Sequence, residues 1–165
     1  MGMTFNADEV FEIAINAEEN GAAFYRQAAE MFERRGKDAS LLRDMATMED
    51  SHKASFETMR KALAESDKKQ VEFDPYMEAE MYLSAVASGN AIEGDKASAD
   101  QFTGNESVAD VLKVAIGLEK DAVLFYLGLR DMVPEGLGKT KVNEIIDEEK
   151  AHIVQLSLAL RELKE

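Results

Sequence analysis

The 165-residue chain has no cysteine, only two prolines and only two histidines. Without cysteine it forms no disulfide and offers no thiolate to zinc or to an iron–sulfur cluster, so any metal it holds must be bound by oxygen and imidazole. Scarce proline, few β-branched runs and abundant Ala, Leu, Met, Glu and Lys favour helices over strands, which predicts an all-α protein. No stretch approaches 18 uninterrupted apolar residues, and the N-terminus through Asp8-Glu9 has neither the basic flank nor the apolar core of a leader. A soluble, cytoplasmic protein is the expectation. Positive charge is also short: 19 Lys and Arg stand against 33 Asp and Glu, for a formal net charge of -14. Such a surface repels nucleic acid and anionic membranes, so neither is expected as a partner, but it suits metal cations. A single domain, 1–165, is the natural count at this length, and 45% hydrophobic residues are enough to bury a core.

Both histidines fall in Glu-x-x-His tetrads, Glu49-Asp50-Ser51-His52 and Glu149-Lys150-Ala151-His152, 100 residues apart. Each tetrad has an acidic partner upstream: Glu18 lies 31 residues before Glu49, and Glu119 lies 30 before Glu149. An aromatic pair ends seven residues after each partner, Phe24-Tyr25 in the first half and Phe125-Tyr126 in the second. The chain is therefore an internal repeat with a period near 100.

A strict 3-4 spacing runs through each half. The first two stripes are Phe11, Ala14, Glu18, Gly21, Tyr25, Ala28, Phe32 and Leu42, Met45, Glu49, His52, Phe56, Met59, Leu63. The third and fourth are Val108, Leu112, Ala115, Glu119, Ala122, Tyr126, Leu129 and Val142, Ile145, Glu149, His152, Leu156, Ala159, Leu163. Within these apolar seams only the four glutamates and two histidines can carry charge near neutral pH. Glu19 lies on a polar stripe with Glu12, Asn16, Ala23, Arg26 and Glu30, and belongs to solvent.

Asn6 to Glu9 reads as a capping box, Gly36 and Asp38 as a break, Ser107 to Asp110 as a cap, and Pro134, Gly136 and Gly138 as a second break. Four helices are expected, over roughly 6–35, 38–65, 106–132 and 139–163. Short turns inside each half make two antiparallel hairpins. Residues 66–105 form a long crossover, and Asp74-Pro75 followed by 77–87 predicts a short extra helix within it. Glu18 and Glu49 lie 18 and 13 residues either side of Gly36, and Glu119 and Glu149 lie 17 and 13 either side of Gly136, so the ligands should meet at one level.

Glutamate and histidine three apart share a helix face, so each tetrad offers a carboxylate able to bridge and a terminal imidazole. With Glu18 and Glu119 added, four carboxylates would balance two divalent cations. Without cations, carboxylates in an apolar seam suffer desolvation and mutual repulsion. Tyr25 and Tyr126 can fill the core and hydrogen-bond nearby carboxylates, or take part in redox chemistry beside the site. Gly21 suits close packing beside the site, and the nine methionines suit core filling.

These segments resemble the ferritin-like superfamily, most closely the stand-alone rubrerythrin-like proteins, over nearly the whole chain. The carriers are AEENGAAFY (17–25), MATMEDSH (45–52), GLEKDAVLFYLGL (117–129) and IIDEEKAHIVQL (145–156). The resemblance implies a ferritin-like four-helix bundle with a di-iron site held by Glu18, Glu49, His52, Glu119, Glu149 and His152, with Glu49 and Glu149 bridging. Two features depart from rubrerythrins proper. There is no cysteine for a rubredoxin domain, and Ala122 and His152 stand where those proteins carry carboxylates. The ligand set is thereby more symmetric, similar to that of bacterioferritins, although Asp50 occupies the place of a haem-ligand methionine.

The implied activity is reduction of hydrogen peroxide or dioxygen by a non-haem di-iron centre, with electrons from a separate electron-transfer protein. An iron-binding ferroxidase or storage protein is the alternative, and a dinuclear site of mainly structural role, loaded with zinc or manganese, is the third. The third helix also carries Val111, Val114, Leu118, Val123, Leu124, Phe125 and Leu127 beyond its seam, from which a homodimer is expected.

Overall fold

The computed structural model describes residues 6–64, 81–82, 102–103, 105–133 and 136–163. Four helices make up this part of the chain: α1 (Ala7–Arg34), α2 (Ser40–Lys61), α3 (Val108–Met132) and α4 (Lys139–Glu162). Among the described residues there is no strand, so the fold is all-α. The expected helix at 77–87 lies outside the described residues except for Met81 and Tyr82, which are helical.

The helix ends follow from their sequences. Asn6 accepts from the Glu9 amide while the Glu9 carboxylate accepts from the Asn6 amide, a reciprocal capping box. At the other end of α1, Gly36 takes φ 65°, and the Gly36 and Lys37 amides return to the carbonyls of Glu33 and Phe32. This double bond pattern satisfies carbonyls the helix would otherwise leave open. Ser107 caps α3 through the Asp110 amide. The α3 helix stops at Val133, whose extended backbone is what a following proline imposes. Gly138 opens α4 at φ 115°, where a side chain would also strike the Met59 sulfur at 2.8 Å.

α1 packs along α2 and α3 along α4, and the two hairpins meet through α1 against α3 and α2 against α4. The seams bury two apolar clusters. One holds Val10, Phe11, Phe56, Met59, Tyr126, Leu129, Val142 and Ile145, and the other Phe24, Tyr25, Phe32, Leu42, Met45, Leu112 and Leu156. Along every helix the glutamates and histidines fall between the residues of one cluster and those of the other, so a polar layer crosses the middle of the bundle. Phe102 packs at a tilt on Phe24 with ring centroids 5.3 Å apart, adding an aromatic ring to the second cluster.

The outer face of α3 is less open than its sequence suggests. Val111 and Phe125 are fully buried in the chain's own core, and Leu118, Val123 and Leu127 pack against it, leaving Val114 and Leu124 as the exposed members. The Tyr82 hydroxyl donates to the Leu124 carbonyl, so Tyr82 also touches this side. Leu163, assigned to the fourth seam, is 49% exposed because it lies past the end of α4. Among the described residues, no helix is long and apolar enough to cross a membrane.

Candidate metal centre

Six charged or polar side chains are buried among the described residues: Glu18, Glu49, His52, Glu119, Glu149 and His152. They are the six that the repeat singles out, and the structure brings them all together. One donor set is Glu18, Glu49, His52 and Glu149, and the other is Glu49, Glu119, Glu149 and His152; within each set the donor atoms lie within 4.8 Å of one another. Glu49 and Glu149 belong to both sets.

The imidazoles lie nearly parallel, with centroids 6.1 Å apart. Both turn Nδ1 inward. His52 Nδ1 is 2.8 Å from Glu149 Oε1 and 3.7 Å from Glu18 Oε2. His152 Nδ1 is 3.0 Å from Glu149 Oε2, 3.5 Å from Glu119 Oε1 and 3.6 Å from Glu49 Oε1. Both turn Nε2 outward, to Glu148 Oε2 at 2.6 Å for His52 and to the Met48 sulfur at 3.3 Å for His152. A carboxylate and a thioether can only accept, so Nε2 carries a proton in each ring; Nδ1 faces the carboxylates, carrying a second proton without metal and free to offer its lone pair where a cation replaces that proton.

The tyrosines cross between the hairpins. Tyr25 donates its hydroxyl proton to Glu119, and Tyr126 donates to Glu18. Each thus holds the carboxylate of the opposite half of the repeat. Burial raises both phenols well above their usual range, and the carboxylates around them add to the rise.

The electrostatics call for positive charge at the centre. Burial pushes the Glu18 carboxyl up to about 8, against the opposing bonds to Glu49 and Tyr126. Burial, followed by the charge of Glu18, holds Glu49 well above the usual carboxylate range. Glu119 is raised by burial to about 7, with His152 opposing. Glu149 moves the other way: burial disfavours its charge, but His152 and His52 hold it at about 2. Burial disfavours both imidazolium ions, yet the carboxylates around them raise His52 to about 9 and His152 to about 10. Protons here satisfy a demand that a multivalent cation would satisfy more fully.

Among the described residues three buried atoms, Glu49 Oε1, His52 Nδ1 and Glu149 Oε1, have no hydrogen-bond partner. His52 Nδ1 and Glu149 Oε1 are close enough to bond but are not aligned for it. Unpaired buried groups cost about 1–3 kcal/mol each, whereas an ion between them would be coordinated by all three. Four carboxylates and two inward-facing imidazole nitrogens in two overlapping sets fit a di-metal site, with oxygen and nitrogen donors that suit iron, manganese or zinc.

A cavity of about 40 Å³ reaches this centre, bounded by Ala17, Asn20, Gly21, Leu118, Ala122 and the two tyrosines around Glu18, Glu49 and Glu119. Asn20 is exposed, so the cavity meets the surface between α1 and α3. Its size suits molecules of the order of water or peroxide rather than an organic substrate. A Cβ on Gly21 would stand 3.0 Å from Glu49 Oε2, so the bare backbone there leaves room for the shared carboxylate.

Sequence reasoning missed Glu148 and Met48. Their signal was present: each immediately precedes the glutamate of a tetrad, at equivalent places in the repeat, and each reaches the histidine of the other tetrad.

A search of curated proteins found no match. Among solved structures, the chain is similar to a Thermotoga maritima protein provisionally assigned as a ferritin-like diiron-carboxylate protein. They share 22% identity with a TM-score of 0.72, covering 98% of this chain and 99% of that one, which establishes a common fold. The family model described as ferritin-like domain matches residues 7–162, spanning all four helices and the whole donor cluster, and the chain belongs to that family.

Proposed function

We propose that this ferritin-like chain is a rubrerythrin-like di-iron carboxylate protein that reduces hydrogen peroxide or dioxygen with electrons from a separate protein. The observation that carries this reading is the pair of donor sets sharing Glu49 and Glu149, reached by a cavity of about 40 Å³. Two ferrous ions held there would supply both electrons for reducing one peroxide to water, and Lewis acidity toward its oxygens.

The chain's own residues supply the rest. Glu49 and Glu149 span the two positions, and Glu18, Glu119, His52 and His152 complete one set each. The Nε2 bonds to Glu148 and Met48 hold the imidazoles with Nδ1 facing inward. Tyr25 and Tyr126 keep Glu119 and Glu18 oriented by hydroxyl donation and stand beside the cavity, where either could take part in electron transfer. Without metal, burial raises the carboxyls of Glu18 and Glu119 to about 8 and about 7, so loading the centre with cations would release protons. The absence of cysteine and of a glycine-rich dinucleotide fingerprint in these 165 residues supports a separate electron donor.

The test is to load ferrous iron anaerobically and mix the protein rapidly with hydrogen peroxide or dioxygen. Fast single oxidation is expected, with little steady turnover on nicotinamide cofactor alone and cycling restored by a small electron-transfer protein and its reductase. Ferrous protein inert to both oxidants would overturn the proposal. Oxidation of many ferrous ions per chain into a retained core would replace it with iron storage.

A further inference from the structure

The two halves of the repeat supply the same six donor types, and one difference between them lies directly behind the histidines. Behind His52, Nε2 meets the Glu148 carboxylate at 2.6 Å; behind His152, among the described residues, Nε2 meets the Met48 thioether at 3.3 Å. We propose that Glu148 and Met48 make the two metal positions unequal, so that the position served by Glu18 and His52 binds its ion more tightly and fills first. This inference rests on the di-metal reading of the six buried donors.

A carboxylate accepting the outer N–H draws the ring proton toward itself and makes the inner nitrogen a stronger donor to a cation. A thioether is a weak acceptor and polarises the ring little. Glu148 also brings a negative charge near one position that Met48 cannot bring to the other. The remaining groups do not cancel this difference. Each position has one glutamate of its own, Glu18 or Glu119, each of which accepts from a tyrosine, and the two positions share Glu49 and Glu149. Carboxylate partners of ligating histidines are worth about 10–100-fold in metal affinity, and the Glu148 side chain is 41% exposed, so solvent screening places the expected effect near the lower end, about tenfold. Glu148 and Met48 are positioning residues, since they act through the imidazoles.

The experiment is a Co(II) titration of chelator-stripped full-length protein, followed by visible absorption and calorimetry, with variants Glu148→Met and Met48→Glu. The native chain should bind two equivalents in resolved steps with distinct spectra. Glu148→Met should weaken the first step by about tenfold and bring it toward the second. Met48→Glu should tighten the second step, a gain that damaged folding could not produce. Glu148 is partly exposed, and unchanged helical circular dichroism would certify each variant. Two equivalents bound in one spectrally uniform step, or Glu148→Met weakening only the second step, would overturn the inference while leaving the di-metal site intact. No Co(II) bound by the native chain would overturn both.

Discussion

Gly21→Ala separates the stability of the bundle from the geometry of its centre. In the interior of α1 the substitution should stabilise the helix by about 0.5–1 kcal/mol, because glycine loses more backbone freedom on folding than alanine. The added Cβ, however, would stand 3.0 Å from Glu49 Oε2 and 3.4 Å from Glu49 Cδ, closer than packed atoms ordinarily sit. Glu49 must then yield by a few tenths of an ångström. A metal site tolerates displacements of about 0.2 Å in ligand distance, and Glu49 serves both donor sets, so both ions should feel the shift. A tenfold loss of metal affinity removes about 1.4 kcal/mol from the stability of the loaded form, more than the helix gains. The metal-free variant should therefore melt about 1–4 °C above the metal-free native chain, while the loaded variant melts at or below the loaded native chain. Calorimetric melts with excess chelator and at fixed metal concentrations, beside a binding isotherm, decide the matter. If the variant is stabilised equally in both forms and binds metal with native affinity, Gly21 does not set the position of a metal-holding carboxylate.

Other consequences follow from the same geometry. Metal-free protein should lose stability as pH rises. Glu18 and Glu119 stabilise the folded form below the usual carboxylate range and lose that contribution up to about 8 and about 7, and His52 and His152 lose theirs from about 6.5 up to about 9 and about 10. Glu149, held at about 2, contributes above its ordinary range and loses this only in acid; melts from pH 5 to pH 9 should thus fall without metal and hold level with it, and a metal-free curve that rises with pH would refute the assignment. Tyr25→Phe and Tyr126→Phe each remove the donor to a buried carboxylate and should cost about 1–3 kcal/mol by denaturant melts, while loss of oxidation rate at unchanged metal content would reveal a redox role as well. A homodimer is expected in sedimentation at micromolar concentration, weakened by Leu124→Glu on the exposed face of α3; a native chain that sediments as a monomer removes that expectation.

Most of the fold was legible because a 3-4 apolar seam is a local pattern, and these helices carry their own stops: Asn6 with Glu9, Gly36, Ser107 and Gly138. The donors were legible because the chain uses both of its histidines in the repeated tetrad. What the repeat did not reveal was how the halves cross. Tyr25 reaches Glu119 rather than a residue of its own hairpin, and Glu148 and Met48 reach across to the histidine of the opposite tetrad, contacts fixed by the packing of α1 on α3 and α2 on α4. The outer face of α3 was over-read for the same reason. Val111 and Phe125 are apolar off the seam because the seam is wider than one stripe when two helices bound it.

The central claim, that six buried side chains hold two ions between them, is tested most directly by anaerobic ferrous titration with metal analysis after gel filtration, for the native chain and for Glu49→Ala, Glu149→Ala, Glu18→Ala and Glu119→Ala. Two irons per native chain are predicted, with both lost on removing either shared glutamate and one retained when Glu18 or Glu119 is removed. One iron or none in the native chain, or equal small losses across all four variants, would contradict a shared dinuclear centre.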